Sequence, residues 1–123
     1  MDKFVAHILV VDDDANTRDI LERALVDAGY EAVLAKDGKD GLSKLDKDPA
    51  LIVLDLDMPR MDGFEFIERS RTEGMKIPIV VFSGKDITAV EEKMLSKYTE
   101  GIVKKESKVE SLVKEVNQIL KTK

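Results

Sequence analysis

The chain has 123 residues, 43% of them hydrophobic and 37% charged, with a formal net charge of −5 and no cysteine. That length suits one domain with a solid core, and the composition is globular rather than disordered. The acidic balance argues against nucleic acid as a direct ligand, and the lack of cysteine removes disulfides and thiolate metal sites.

Apolar runs of strand length alternate with segments of helical period. The first strand is expected at His7–Asp12, after Met1-Asp2-Lys3-Phe4, which lacks the apolar core of a signal peptide. A helix follows, with Thr17, Ile20, Leu21, Ala24, Leu25 and Ala28 at helical spacing, Asp14 as its N-cap and Gly29 as its stop. Glu31–Ala35 is the second strand, and a helix is expected near 38–47. Leu51–Asp55 is the third strand, followed by a helix near 63–73. Ile77–Ser83 is the fourth strand. Thr88-Ala89-Val90-Glu91 then has the form of a capping box, as does Ser107-Lys108-Val109-Glu110 ahead of the last helix. Between them lies the fifth strand, Gly101–Lys104. The apolar stripe Val109, Leu112, Val113, Val116, Ile119 and Leu120 closes the chain.

The first, third and fourth strands are near-continuous runs of Val, Ile and Leu, as parallel strands covered on both faces require. Five strand–helix repeats imply right-handed crossovers and an α/β doubly wound parallel sheet. No run of 18 apolar residues occurs, so no membrane span is expected. The expected organisation is one domain over 1–123 with no output domain, in the cytoplasm.

In open α/β sheets the chemistry gathers at the carboxyl ends of the strands. Here those ends carry Asp12 and Asp13, Asp55, Ser83, and Lys104 or Lys105. Three acids, a hydroxyl and a lysine describe a site for a divalent metal and a phosphoryl group. Three carboxylates in one pocket repel each other, and a divalent cation removes that penalty. Oxygen-only ligands favour Mg²⁺.

Four motifs in this order, each at a strand end, resemble a response-regulator receiver domain of two-component signalling. They are Val10-Val11-Asp12-Asp13, Asp55-x-x-Met58-Pro59-x-Met61-Asp62-Gly63, Ser83-Gly84, and a lysine after the last strand. The resemblance covers nearly the whole chain. It implies a chemotaxis-Y-like (βα)5 fold with the flavodoxin-like strand order 2-1-3-4-5, which brings Asp12 and Asp13 beside Asp55. It also implies the function of a phosphoprotein in a two-component phosphorelay. Asp55 would take a phosphoryl group from a sensor histidine kinase or phosphotransfer protein in a Mg²⁺-dependent reaction and so change partner binding. Asp13 and Asp55 would bind the metal directly, Asp12 through water, and Asp57 through its backbone carbonyl. Ser83 and the lysine would contact the phosphoryl oxygens. The end of the apolar run at Val103 selects Lys104, whereas the family's spacing after glycine and the distance from Ser83 select Lys105, which is the expected site lysine.

The chain departs from the family pattern twice. Glu106 follows the lysine where proline is common, and Ile102 stands where an aromatic switch residue is common. Both put the usual aromatic coupling in doubt and leave the site chemistry intact. The chain is expected not to be an enzyme beyond its own phosphorylation and dephosphorylation. Asp57 and Lys85, each two residues past a site residue, are expected at the pocket rim, where they could pair as a gate for hydrolytic water. His7, Met58 and Met61 have structural readings. Two alternatives remain. Asp55-Leu56-Asp57 also resembles the Asp-x-Asp of haloacid-dehalogenase-type phosphatases, although Asp12 and Asp13 precede it and little room is left for a substrate cap. A pseudo-receiver that binds proteins without taking phosphate is the other.

Overall fold

The computed structural model describes residues 5–121; the Met1–Phe4 segment read above for a signal peptide lies outside them. Five strands, β1 (His7–Val11), β2 (Glu31–Ala35), β3 (Leu51–Leu54), β4 (Ile79–Ser83) and β5 (Gly101–Lys104), alternate with five helices. These are α1 (Ala15–Asp27), α2 (Gly38–Ser43), α3 (Gly63–Thr72), α4 (Ala89–Tyr98) and α5 (Val109–Lys121). All neighbouring strands are parallel, in the order β2-β1-β3-β4-β5. The order that the resemblance implied is therefore the one observed. No helix is long and apolar enough to cross a membrane among the described residues.

Element boundaries follow local chemistry. Asp14 caps α1 by accepting from the Thr17 N–H. Beyond Ala28, Gly29 adopts φ 99°, the left-handed conformation that ends a helix without a Cβ penalty. The capping box at Thr88 forms in full, with Glu91 accepting from the Thr88 N–H and Thr88 Oγ1 from the Glu91 N–H. Strand β4 begins two residues later than expected because Pro78 has no N–H for the ladder. Helix α2 is shorter than expected. It stops at Ser43, and a single 3₁₀ turn at Leu45–Lys47 takes over. There the Lys44 amine donates to the Leu34 carbonyl at 2.6 Å, tying the break to β2.

Side chains of successive strand residues point to opposite faces, so the sheet divides the core in two. Leu9, Val11, Ile52, Leu54, Ile79 and Val81 pack with Phe66 and Ile67 of α3 and Leu95 of α4. Ile8, Val10, Leu51, Val53 and Val80 pack with Leu21 and Leu25 of α1 and Leu112 and Val116 of α5. Met58 and Met61 belong to the first of these layers, and His7 Nε2 lies 2.8 Å from the Lys47 carbonyl oxygen. All three have the structural surroundings expected of them.

Candidate functional site

Beyond the last rungs of β1 and β3 the chain turns, and the acids stand on those turns. Strands β1 and β3 are direct neighbours, pairing Val11 with Leu54. The N–H of Asp12 still donates to Ala35 at 3.1 Å, and that of Asp55 to Val11 at 3.0 Å. Two backbone hydrogen bonds therefore fix both acids to the sheet one residue past its end. One carboxylate oxygen from each of Asp12, Asp13 and Asp55 lies within 4.8 Å of the others.

Asp12 and Asp55 are buried, and Asp13 is exposed. Asp12 Oδ1 accepts the Asp14 N–H at 2.9 Å, and its Oδ2 lies 3.0 Å from Lys105 Nζ. Asp55 Oδ2 lies 3.5 Å from the same amine, while its Oδ1 accepts the Asp57 N–H at 3.3 Å. Burial, followed by repulsion from Asp12, pushes the Asp55 carboxyl above its ordinary pKa; Lys105, the Asp57 N–H and the Ser83 hydroxyl only partly offset this. Burial alone would lower the Lys105 ammonium, but the carboxylates of Asp12 and Asp55 outweigh it and raise its pKa. The adjacent Asp14 has a separate task. Its carboxylate accepts the Thr17 hydroxyl at 2.6 Å, the main reason its pKa is lowered.

Ser83 ends β4, buried beside Asp55, and its Oγ accepts the Lys85 N–H at 3.2 Å. Lys104 is the register partner of Ser83 and its side chain is exposed. Alternation along the extended chain sends the next side chain the other way, so Lys105 enters the pocket. Every peptide bond among the described residues is trans, including the one that leads into Glu106. Ile102, in place of an aromatic residue, packs half-buried on the α3/α4 side of the sheet.

The expected pairing of Asp57 with Lys85 is not the one found. Asp57 is exposed, and Lys85 Nζ turns to Glu91 Oε1 at 3.4 Å and the Asp86 carbonyl at 3.3 Å. Glu91 is available because the capping box already holds its carboxylate at the start of α4, over the β4–α4 loop.

Two residues escaped the sequence reading as contributors to the site. Arg18 donates from α1 to the backbone carbonyl of Asp12 at 2.7 Å. Gly63 begins α3 against the backbone of the nucleophile candidate. A Cβ there would lie 2.6 Å from the Asp55 carbonyl oxygen and 2.8 Å from Leu56 Cα. Gly63 closes the motif that begins at Asp55, which was a visible signal, and Asp62 before it caps α3 by accepting the Glu65 N–H; nothing in the sequence marked Arg18.

The site is one of oxygen donors only, and its formal charge suits a divalent cation. Counted formally, three carboxylates against the Lys105 ammonium and the Arg18 guanidinium leave −1. Hard oxygen ligands and residual negative charge fit Mg²⁺.

Residues 8–117 match the family model described as the response regulator receiver domain. The chain belongs to that family, the receiver module of two-component signalling. Response regulator MprA of Mycolicibacterium vanbaalenii is 44% identical over 80 residues, which cover 64% of this chain and 35% of that protein. The Mycobacterium leprae protein of the same name is 42% identical over 80 residues, with the same coverage of each chain. The match thus spans about a third of the length of these curated relatives. The chemotaxis protein CheY4 of Vibrio cholerae superposes with a TM-score of 0.85 at 29% identity, over 94% of this chain and 98% of that one. A response regulator receiver protein from Pseudomonas putida gives 0.83 at 29% identity, over 95% and 99%.

Proposed function

We propose that the chain is a phosphoryl-accepting signalling switch with Asp55 as the acceptor and a histidine kinase or phosphotransfer protein as the donor. The observation that carries this reading is the convergence of Asp12, Asp13, Asp55 and Lys105 at the carboxyl edge of the sheet. A carboxylate oxygen of Asp55 attacks the phosphorus of a phosphohistidine. The P–N bond breaks, the imidazole leaves with the bonding electrons and takes a proton from water, and an aspartyl phosphate remains.

Asp12, Asp13 and Asp55 would hold Mg²⁺, and the Asp57 carbonyl is proposed as a further ligand. The ion supplies positive charge that keeps Asp55 ionised and offsets charge on the transferring group. The Lys105 ammonium, already bridging Asp12 and Asp55, is placed to follow the phosphoryl oxygens. The Ser83 hydroxyl, buried beside Asp55, donates to one of them. In this reading the chain gains and loses its own phosphoryl group and turns over no other substrate. The signal is a change in partner binding.

Intact-mass measurement after incubation with acetyl phosphate and Mg²⁺ tests this. One added phosphoryl group is expected, absent from Asp55→Asn. Mass gained at the parent rate by Asp55→Asn refutes the acceptor. No gain in the parent favours a protein-binding pseudo-receiver, and multiple turnover of p-nitrophenyl phosphate favours a phosphatase.

A further inference from the structure

Of the three acids, Asp13 has the least to hold it in place. Asp12 and Asp55 are buried, and both of their carboxylates have partners. The Asp13 carboxylate is exposed and makes no hydrogen bond among the described residues. Its approach to the other two acids depends on the backbone that carries it, and foremost on the peptide joining Asp12 to Asp13.

That peptide lies just beyond the sheet. The β1–β2 and β1–β3 registers both end at Val11, so the Asp12 carbonyl has left the ladder. Its partner is the Arg18 guanidinium, which reaches back from α1 at 2.7 Å, a charge-assisted hydrogen bond of the stronger kind. On the other side of the same turn, the Asp14 N–H is held by Asp12 Oδ1 at 2.9 Å, and the Asp14 carbonyl accepts the Arg18 N–H at 3.0 Å. These bonds close the segment from Asp12 to Arg18 into a ring, and the Asp13 carboxylate takes no part in it.

We infer that Arg18 is a positioning residue for the metal acids, orienting the Asp12–Asp13 peptide so that the Asp13 carboxylate stands with Asp12 and Asp55. This rests on the metal-dependent reading above. Charge alone makes the opposite prediction. A guanidinium beside an acidic pocket repels a cation, so its loss would tighten Mg²⁺ binding by Coulomb's law. Loss of orientation weakens binding, because the ion must then order Asp13 itself. The sign of the change separates the two roles.

The experiment is calorimetric titration of the full chain with MgCl₂ for the parent, Arg18→Met, Arg18→Lys, Asp13→Ala and the Arg18→Met/Asp13→Ala double variant. Thermal unfolding in EDTA and amide NMR spectra accompany it. Arg18→Met should weaken Mg²⁺ binding by about ten-fold, the lower end for loss of a group that orients a metal ligand. Arg18→Lys, which keeps a charged donor, should recover part of that. The double variant should bind no worse than Asp13→Ala alone, since Arg18 acts through Asp13. NMR in EDTA should show shifts concentrated at residues 12–14 with the rest of the fold intact.

Unchanged or tighter Mg²⁺ binding in Arg18→Met overturns the inference, as does a lower unfolding temperature without a change in affinity. If Arg18→Met fails to fold, Arg18→Lys decides by the same comparison. The parent and Asp13→Ala test the metal reading separately. A parent that binds no Mg²⁺, or an Asp13→Ala variant that binds like the parent, overturns both. Binding lost in Asp13→Ala but kept in Arg18→Met overturns only the role of Arg18.

Discussion

The backbone N–H of Lys105 donates to the carbonyl oxygen of Ser83 at 3.0 Å. This bond extends the β4–β5 ladder past its last register pair, Ser83 with Lys104. It thereby fixes which lysine faces the acids. It also joins, through backbone alone, the hydroxyl and the ammonium proposed to hold the phosphoryl group.

Lys105→Ala and Lys104→Ala should therefore differ sharply. Removing Lys105 leaves Asp12 and Asp55 without their cation and should lower stability at neutral pH. The loss should fall below the roughly 3–5 kcal/mol typical of breaking a fully buried pair, because Lys105 is 26% exposed. Removing the exposed Lys104 should stay within about 0.5 kcal/mol. Urea denaturation of both variants, with the phosphorylation-induced change in amide NMR spectra, checks the contrast. A loss confined to Lys104→Ala would assign the wrong lysine.

Asp55→Asn should stabilise the metal-free protein near neutral pH. The folded-state pKa of Asp55 is raised, so its contribution to stability is fully present below the ordinary carboxylate value of 3.8 and is lost as pH rises through the raised value. At neutral pH the ionised Asp55 is thus a cost, which asparagine removes. The advantage should shrink as acidification protonates Asp55 in the parent, and excess Mg²⁺ should reverse it. Unfolding temperatures across pH in EDTA and in MgCl₂ provide the check; a less stable Asp55→Asn at neutral pH in EDTA contradicts it.

Gly63→Ala should destabilise by about 1–3 kcal/mol, the usual range for an extra methyl in a closed space. Beside the Leu56 side chain, the obstacles are the Asp55 carbonyl and Leu56 Cα, backbone atoms that cannot rotate aside. Displacing them moves the acceptor, so the rate of phosphorylation by acetyl phosphate should fall as well. Stability and rate both equal to the parent's would show that α3 can shift without moving Asp55.

The lifetime of the phosphorylated state should depend on Lys85 and Glu91 together. Their side chains are each about a third exposed, so the pair itself contributes little stability. It ties the loop after Ser83 to the first turn of α4, and the decay rate is the sensitive readout. Decay measured for Lys85→Ala, Glu91→Gln and the double variant should be non-additive, while Lys85→Ala and Asp57→Ala should combine additively. Glutamine retains the oxygen that serves the cap, so Glu91→Gln isolates the ion pair. The reverse pattern of additivity would restore the Asp57–Lys85 gate.

Most of the fold was legible because strands covered on both faces must be apolar throughout, as Ile8–Val11, Leu51–Leu54 and Ile79–Phe82 are. Strand order was not legible from pattern. Pairing of β1 with β3 skips over β2 and is decided by contacts distant in sequence, and only the family resemblance supplied it. The acids were readable because strand ends mark the chemical edge of such sheets. The choice between Lys104 and Lys105 was ambiguous because the apolar run stops at Val103 while the strand continues to Lys104. The partner of Lys85 was missed because it depends on how the loop at 84–88 folds back on a helix cap. Arg18 was missed because a contact between a side chain and a carbonyl six residues earlier leaves no periodic trace.

The sheet that separates the two apolar layers also insulates them from each other. Ile52 and Leu54 face α3 and α4, while Leu51 and Val53 face α1 and α5. Substitutions confined to one layer share no side-chain partners with those in the other, so their effects should add. Repacking α2, α3 and α4 around a new partner can then leave α1 and α5 in place. The acidic edge stands on β1 and β3, the strands that lie between the two layers.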